Sequence, residues 1–160
     1  MLLVYFGIVA ENQKHQARNG VVMGITLDEA QKIVSVAVER SRTKGVHTAV
    51  AVVDNAGSLI ALARLDGARS YYPDVARGKA MATALWDGTP SRELSGRSGS
   101  NSVQQAVNHM HGGRIVFAPG AVAIMRGDEM IGVVGVGGSG PDSDEEIAIE
   151  AANALDRPSS

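Results

Sequence analysis

The chain has 160 residues, a formal net charge of -2 and no cysteine, which allows one domain with a proper core and excludes disulfides, thiolate metal sites, a cysteine nucleophile and C-x-x-C-H haem attachment. Its 15 lysines and arginines are scattered rather than gathered on one stripe, so the electrostatic footprint of a nucleic-acid binder is missing and no nucleic-acid partner is expected. Aromatic residues make up 4% of the chain against 19 glycines; the core is therefore expected to consist of small side chains at close backbone approach, and such thin elements often bury more surface against copies of themselves.

Met1 to Ala10 is apolar but has no basic n-region and no small-residue cleavage site, and it is too short to span a bilayer. A cytoplasmic protein without a membrane partner is expected. Met23 stands just before the first well-formed element, so residues 1–22 read as an upstream extension or an arm, 23–156 as the domain and 157–160 as a tail.

Thr26-Leu-Asp-Glu29 is a capping box. The spacing of Leu27, Ala30, Ile33, Val34, Ala37, Val38 and Ser41 predicts a helix over 27–44, with acids at its start, bases at its end and Gly45 as the stop. Residues 48–53 and 58–64 read as strands joined by the turn Asp54-Asn-Ala-Gly57. Both are apolar on both faces, which predicts cover from helices on one side and from a partner subunit on the other. A helix over 72–86 follows, then a short one from Thr89-Pro90 to Leu94, a flexible stretch over 96–102 and a helical piece over 103–110. Residues 114–117 and 120–125 lead into strands, and Arg126-Gly-Asp-Glu129 is a hairpin turn rather than an adhesion motif.

The most apolar run, Met130 to Gly140, reads as a central strand, a glycine loop and the start of a helix reaching Leu155. Gly135-Val-Gly137-Gly-Ser-Gly140 matches G-x-G-x-x-G in form. No second parallel strand with its acidic residue follows, so a Rossmann reading fails. Asp142, Asp144, Glu145 and Glu146 would also repel a phosphate at that helix start. What remains is a strand whose glycines permit close approach and a loop whose amides could face a small polar ligand. The whole order predicts an α+β domain with a single antiparallel sheet of about five strands and flanking helices. It also predicts a homo-oligomer.

Three landmarks then stand in a recognisable order: Ala51-Val-Val-Asp54 with Ala63-Arg64-Leu-Asp66-Gly67-Ala68, Ala76-Arg-Gly-Lys79-Ala80 with Thr89-Pro-Ser-Arg92-Glu93-Leu94, and Gly132-Val-Val-Gly-Val-Gly-Gly138. This set resembles the GlcG/HbpS family, also called the DUF336 or haem-degrading domain family, which is related to the C-terminal domain of PduO-type proteins. The resemblance covers about Met23 to Leu155. It implies an α+β subunit that assembles into oligomers, with haem as a cofactor or ligand in some members and small-molecule catabolic settings for the cytoplasmic ones.

Lys79 shares a helical stripe with Val75, Ala76 and Thr83, so its ammonium either snorkels or faces a site. Arg64 ends a strand and could clamp a carboxylate, or pair with Asp66 or Asp54. His109 and His111 form an H-x-H at a helix end, and His47 precedes the first strand. Any of these three imidazoles could ligate haem, which needs one axial ligand and an apolar slot. No metal site beyond that is indicated. No serine stands in a G-x-S-x-G elbow.

The leading expectation is an oligomeric module binding haem, a corrinoid or another flat anionic ligand, through Arg64, Lys79 and the backbone of Gly137, Gly138 and Ser139 in one pocket near a subunit boundary. One alternative is an enzyme of small organic-acid or aromatic catabolism, with Arg64 as the clamp and Lys79 or His47 moving a proton. Another is a structural assembly subunit.

Overall fold

The computed structural model describes residues 24–96 and 101–156; the N-terminal extension, four residues of the 96–102 stretch and the tail lie outside the described residues. Helix α1, Leu27–Thr43, starts at the capping box: the Thr26 hydroxyl accepts from the Glu29 amide at 3.3 Å, and the Glu29 carboxylate accepts from the Thr26 amide at 2.9 Å. Strands β1, Ala49–Asp54, and β2, Leu59–Arg64, form the expected hairpin. Its turn is held by the Asp54 carboxylate, which accepts from the amides of Ala56 and Ser58. Three helices follow, α2 over Tyr72–Leu85, α3 over Ser91–Ser95 and α4 over Ser102–Met110. A second hairpin, β3 over Ala121–Arg126 and β4 over Glu129–Gly137, leads to α5, Pro141–Ala152, and a 3-10 turn over Asn153–Leu155.

The described strands form one antiparallel sheet of four, in the order β2-β1-β4-β3. The α+β class is as expected, with four strands rather than about five. Residues 114–117 make no strand because their amides bond to helices: Val116 donates to the Gly78 carbonyl on α2, and Ile115 donates to the Asn108 side chain on α4. Pro119 then precedes β3.

Both central strands are covered from within the chain. Helices α1 and α5 pack Ile33, Ala37, Ile147 and Ala151 over Val50, Val52, Val134 and Val136. Helix α2 lies on the opposite face, with Ala76, Ala80 and Ala84 against Ala49, Ala51, Val53 and Val133. The expectation that both strands of the first hairpin need a partner subunit is therefore corrected. Ala49 to Val53 of β1 are buried by the chain's own helices, and of the two strands of this hairpin it is the edge strand β2 that shows large apolar side chains, with Leu59 and Leu62 each 40% exposed.

The glycines of β4 make the α2 packing possible. A Cβ on Gly135 would stand 2.2 Å from the Ala76 carbonyl oxygen and 3.0 Å from the Ala80 Cβ. The motif that resembles a nucleotide fingerprint is thus a seat for a helix.

Candidate functional site

The N-terminal end of β1, the C-terminal ends of β2 and β4 and the loop into α5 meet at one end of the sheet: Ala49 pairs with both Arg64 and Gly137. His47, Arg64, Lys79 and the glycine loop, singled out from sequence, cluster around this end, but they divide into two separate groups.

The first group is internal. Lys79 is 4% exposed, and its ammonium donates to Asp144 Oδ2 at 2.7 Å and to the Val136 carbonyl at 3.0 Å. The same carboxylate accepts from the Ser139 amide at 2.9 Å, the Ser139 hydroxyl at 2.7 Å and the Gly138 amide at 3.3 Å. A cation and three donors of the glycine loop do converge, an arrangement suited to an anion. The anion they hold is the chain's own Asp144, which also joins α2 on one face of the sheet to the start of α5 on the other. Gly138 is additionally packed under the Tyr72 ring, where a Cβ would come within 2.5 Å. Lys79 neither snorkels nor lines an open cavity. Asp144 went unrecognised as its partner because it reads, in sequence, as one more acid in a helix start.

The second group lines a surface cavity of about 590 Å³ between the end of α1 and the end of β2. Its polar walls are Arg42, His47, Arg64 and Asp66; Val38, Val46, Ala63 and Leu65 supply the apolar part. Arg64 Nη1 donates to the Ala68 carbonyl at 3.3 Å, and no ion pair forms with Asp66 or Asp54. Lys79 is absent from these walls, so Arg64 and Lys79 do not share a pocket.

His47 is oriented by its backbone surroundings. Its Nδ1 lies 2.8 Å from the Asp66 carbonyl oxygen, and a carbonyl can only accept, so Nδ1 carries the proton. In the neutral ring Nε2 is left with its lone pair, the arrangement found in metal-ligating histidines. Gly67, at φ +79°, lets the ring lie against the turn: a Cβ there would stand 3.1 Å from Nδ1. Arg42 was read from sequence only as a base complementing the dipole of α1. Its place in the cavity follows from tertiary packing, and no sequence signal marks it.

His109 and His111 sit elsewhere, at the exposed end of α4. His109 lines a shallow cavity with Gln105, Asn108, Gly112 and Gly113, and His111 does not join it. Among the described residues no group of three or more His, Asp or Glu side chains could hold a metal ion. Nor is any described helix long and apolar enough to cross a membrane.

Comparison with known proteins agrees with this architecture. No curated protein sequence matches the chain. Among solved structures, a double mutant of HbpS from Streptomyces reticuli is 31% identical, with a TM-score of 0.70 over 82% of this chain and 87% of that one. The PduOC–haem complex is 25% identical, with a TM-score of 0.71 over 82% of this chain and 94% of that one. The Klebsiella pneumoniae protein ORFY shares the fold at 22% identity and a TM-score of 0.76, covering 86% and 94% of the two chains. The model of the family described as "Haem degrading protein HbpS-like" matches residues 25–153, from the residue before the capping box to the 3-10 turn that closes the described domain, and the chain belongs to that family.

Proposed function

We propose that the protein binds haem, or another flat anionic ligand such as a corrinoid, in the cavity between α1 and the end of β2. The observation that carries this reading is the set His47, Arg42 and Arg64 on one wall system: an imidazole whose Nδ1 is tied to a backbone carbonyl, beside two guanidiniums and an apolar strip. The volume, about 590 Å³, lies within the usual range for small-molecule sites. The donor set suits haem. His47 Nε2 would supply the axial ligand, Arg42 and Arg64 would hold the propionates, and Val38, Val46 and Leu65 would face the ring edge. Bound haem supplies a redox-active iron. What the chain itself does is orient the imidazole, neutralise the ligand's carboxylates and leave one side of the site open to solvent.

Titration with haem tests this. The wild-type protein is expected to give a shifted Soret band with a saturable end point. His47→Ala should abolish the shift, and Arg64→Met should weaken binding by about tenfold, the value of one charged hydrogen-bond contact. An unchanged spectrum in His47→Ala, or a loss caused instead by His109→Ala or His111→Ala, would move the site elsewhere.

We also propose that the protein is a homo-oligomer, with a second copy as the partner. The support is now narrower than the sequence implied: the exposed Leu27 and Leu62 line a groove between α1 and the edge strand β2, and Leu59 is exposed on the same strand, a surface of the kind that soluble monomers seldom leave open. Sedimentation as a monomer at micromolar concentration would refute this.

A further inference from the structure

A second cavity, of about 580 Å³, opens between α2 and the segment that follows α4. It shares no residue with the His47 cavity. Two guanidiniums, Arg77 and Arg114, line it together with Tyr71 and Asp74, while Val75, Met81 and Val116 give it an apolar part.

The two arginines are brought together by backbone packing. Gly78 lets the 114–116 segment lie directly on α2: a Cβ there would stand 2.6 Å from both the Arg114 carbonyl oxygen and Val116 Cγ2. The Val116 amide donates to the Gly78 carbonyl at 3.1 Å and fixes the register. Arg114 is thereby held beside the turn of α2 that carries Arg77.

Among the described residues no carboxylate lies within ion-pair distance of Arg77 or Arg114, although Asp74 lines the same cavity. Arg77 Nε is buried and has no hydrogen-bond partner. Arginine cannot shed its proton to relieve this, and a buried N–H without an acceptor is unfavourable. Arg40 pairs with Glu146 and Glu150 and Arg92 with Asp142 and Glu145, whereas Arg77 and Arg114, like Arg42 and Arg64 at the first cavity, have no carboxylate partner among the described residues. One cavity is thus faced by two guanidiniums that have no carboxylate partner among the described residues.

We infer that this cavity binds a small organic carboxylate, its carboxylate on Arg77 and Arg114 and its apolar body against Val75, Met81 and Val116. The fork geometry of guanidinium suits the planar carboxylate, and the apolar lining separates this ligand class from inorganic phosphate. Tyr71, half-exposed at the rim, can donate its hydroxyl to the same group.

Calorimetric titration of the full chain with benzoate, acetate and inorganic phosphate decides the matter. Benzoate should bind saturably at or below about 1 mM, at least about tenfold more tightly than acetate or phosphate. Arg77→Met and Arg114→Met should each weaken benzoate about tenfold or more, because each removes a charged hydrogen-bond donor, while Arg64→Met leaves it within about twofold. Neither substitution removes an ion pair, so thermal midpoints should hold. If Arg77→Met fails to fold, the exposed Arg114 decides alone. Four results overturn the inference: no saturable benzoate binding, phosphate bound as tightly as benzoate, binding insensitive to both substitutions, or an equal loss in Arg64→Met. Haem titration reads the other cavity, so failure of one proposal leaves the other standing.

Discussion

Replacing Asp144 by alanine strips a buried ammonium of its counter-ion and leaves Lys79, among the described residues, with the Val136 carbonyl as its one remaining hydrogen-bond partner. The amides of Gly138 and Ser139 lose their acceptor in the same step. Breaking a buried pair from one side costs about 3 to 5 kcal/mol, chiefly because the surviving charge is uncompensated, and in a chain of this size that is a loss of roughly ten degrees or more in Tm. Lys79→Met should cost less, about 1 to 3 kcal/mol, because the carboxylate left behind still accepts from three donors of the glycine loop. The double variant should be more stable than Asp144→Ala alone, since no orphan ammonium remains. Urea unfolding at a fixed protein concentration measures all three. A cost below about 1 kcal/mol for Asp144→Ala, or a larger cost for Lys79→Met than for Asp144→Ala, would refute the reasoning.

Gly135→Ala should destabilise by about 1 to 3 kcal/mol or more, because its Cβ would meet backbone atoms of α2 that cannot rotate away; Gly24→Ala, whose Cβ would make an ordinary 3.6 Å contact with the Ile131 carbonyl, should change stability by less than about 0.5 kcal/mol. Equal effects at the two positions would show that α2 is not seated on β4 as described. Acid should unfold the protein partly through two glutamates. Glu29 is held below the ordinary carboxylate range first by the Thr26 amide and then by Arg126, and Glu146 first by Lys44 and then by Arg40. Their folded values are depressed, so the stabilisation is complete above the unfolded value and is lost as pH falls through roughly 4 and below. Glu29→Gln and Glu146→Gln should flatten the fall of Tm between about pH 5 and 3; an unchanged slope would remove these groups from the account.

Much of the fold was legible because local signals agreed with tertiary packing. The capping box at Thr26 and Glu29 and the stripe through Ala30, Ile33 and Ala37 name α1 and its buried face, and the turn residues between β1 and β2 place a hairpin. The segment at 114–117 was misread because short apolar runs have no period of their own: Ile115 is buried against Leu94 and Met81 rather than in a sheet. The site was legible in part. His47 and Arg64 are visible as isolated candidates, and the pairing of Ala49 with Arg64 explains why they meet. Arg42, Arg77 and Arg114 gave no warning, since an arginine in a helix or loop is ordinary until the fold shows what lies beside it. Lys79 was the opposite case, conspicuous in sequence for a charge that the folded chain meets with its own carboxylate.

That carboxylate makes the glycine loop a receptor already holding a tethered ligand. Asp144 follows Ser139 by only five residues, and over so short a tether its effective concentration at the loop is on the order of millimolar or higher before any external anion arrives. Phosphate, nucleotides and free organic acids must therefore compete against an intramolecular rival, and in dilute solution they lose. A loop that looks built to capture metabolites is closed to them by chain connectivity.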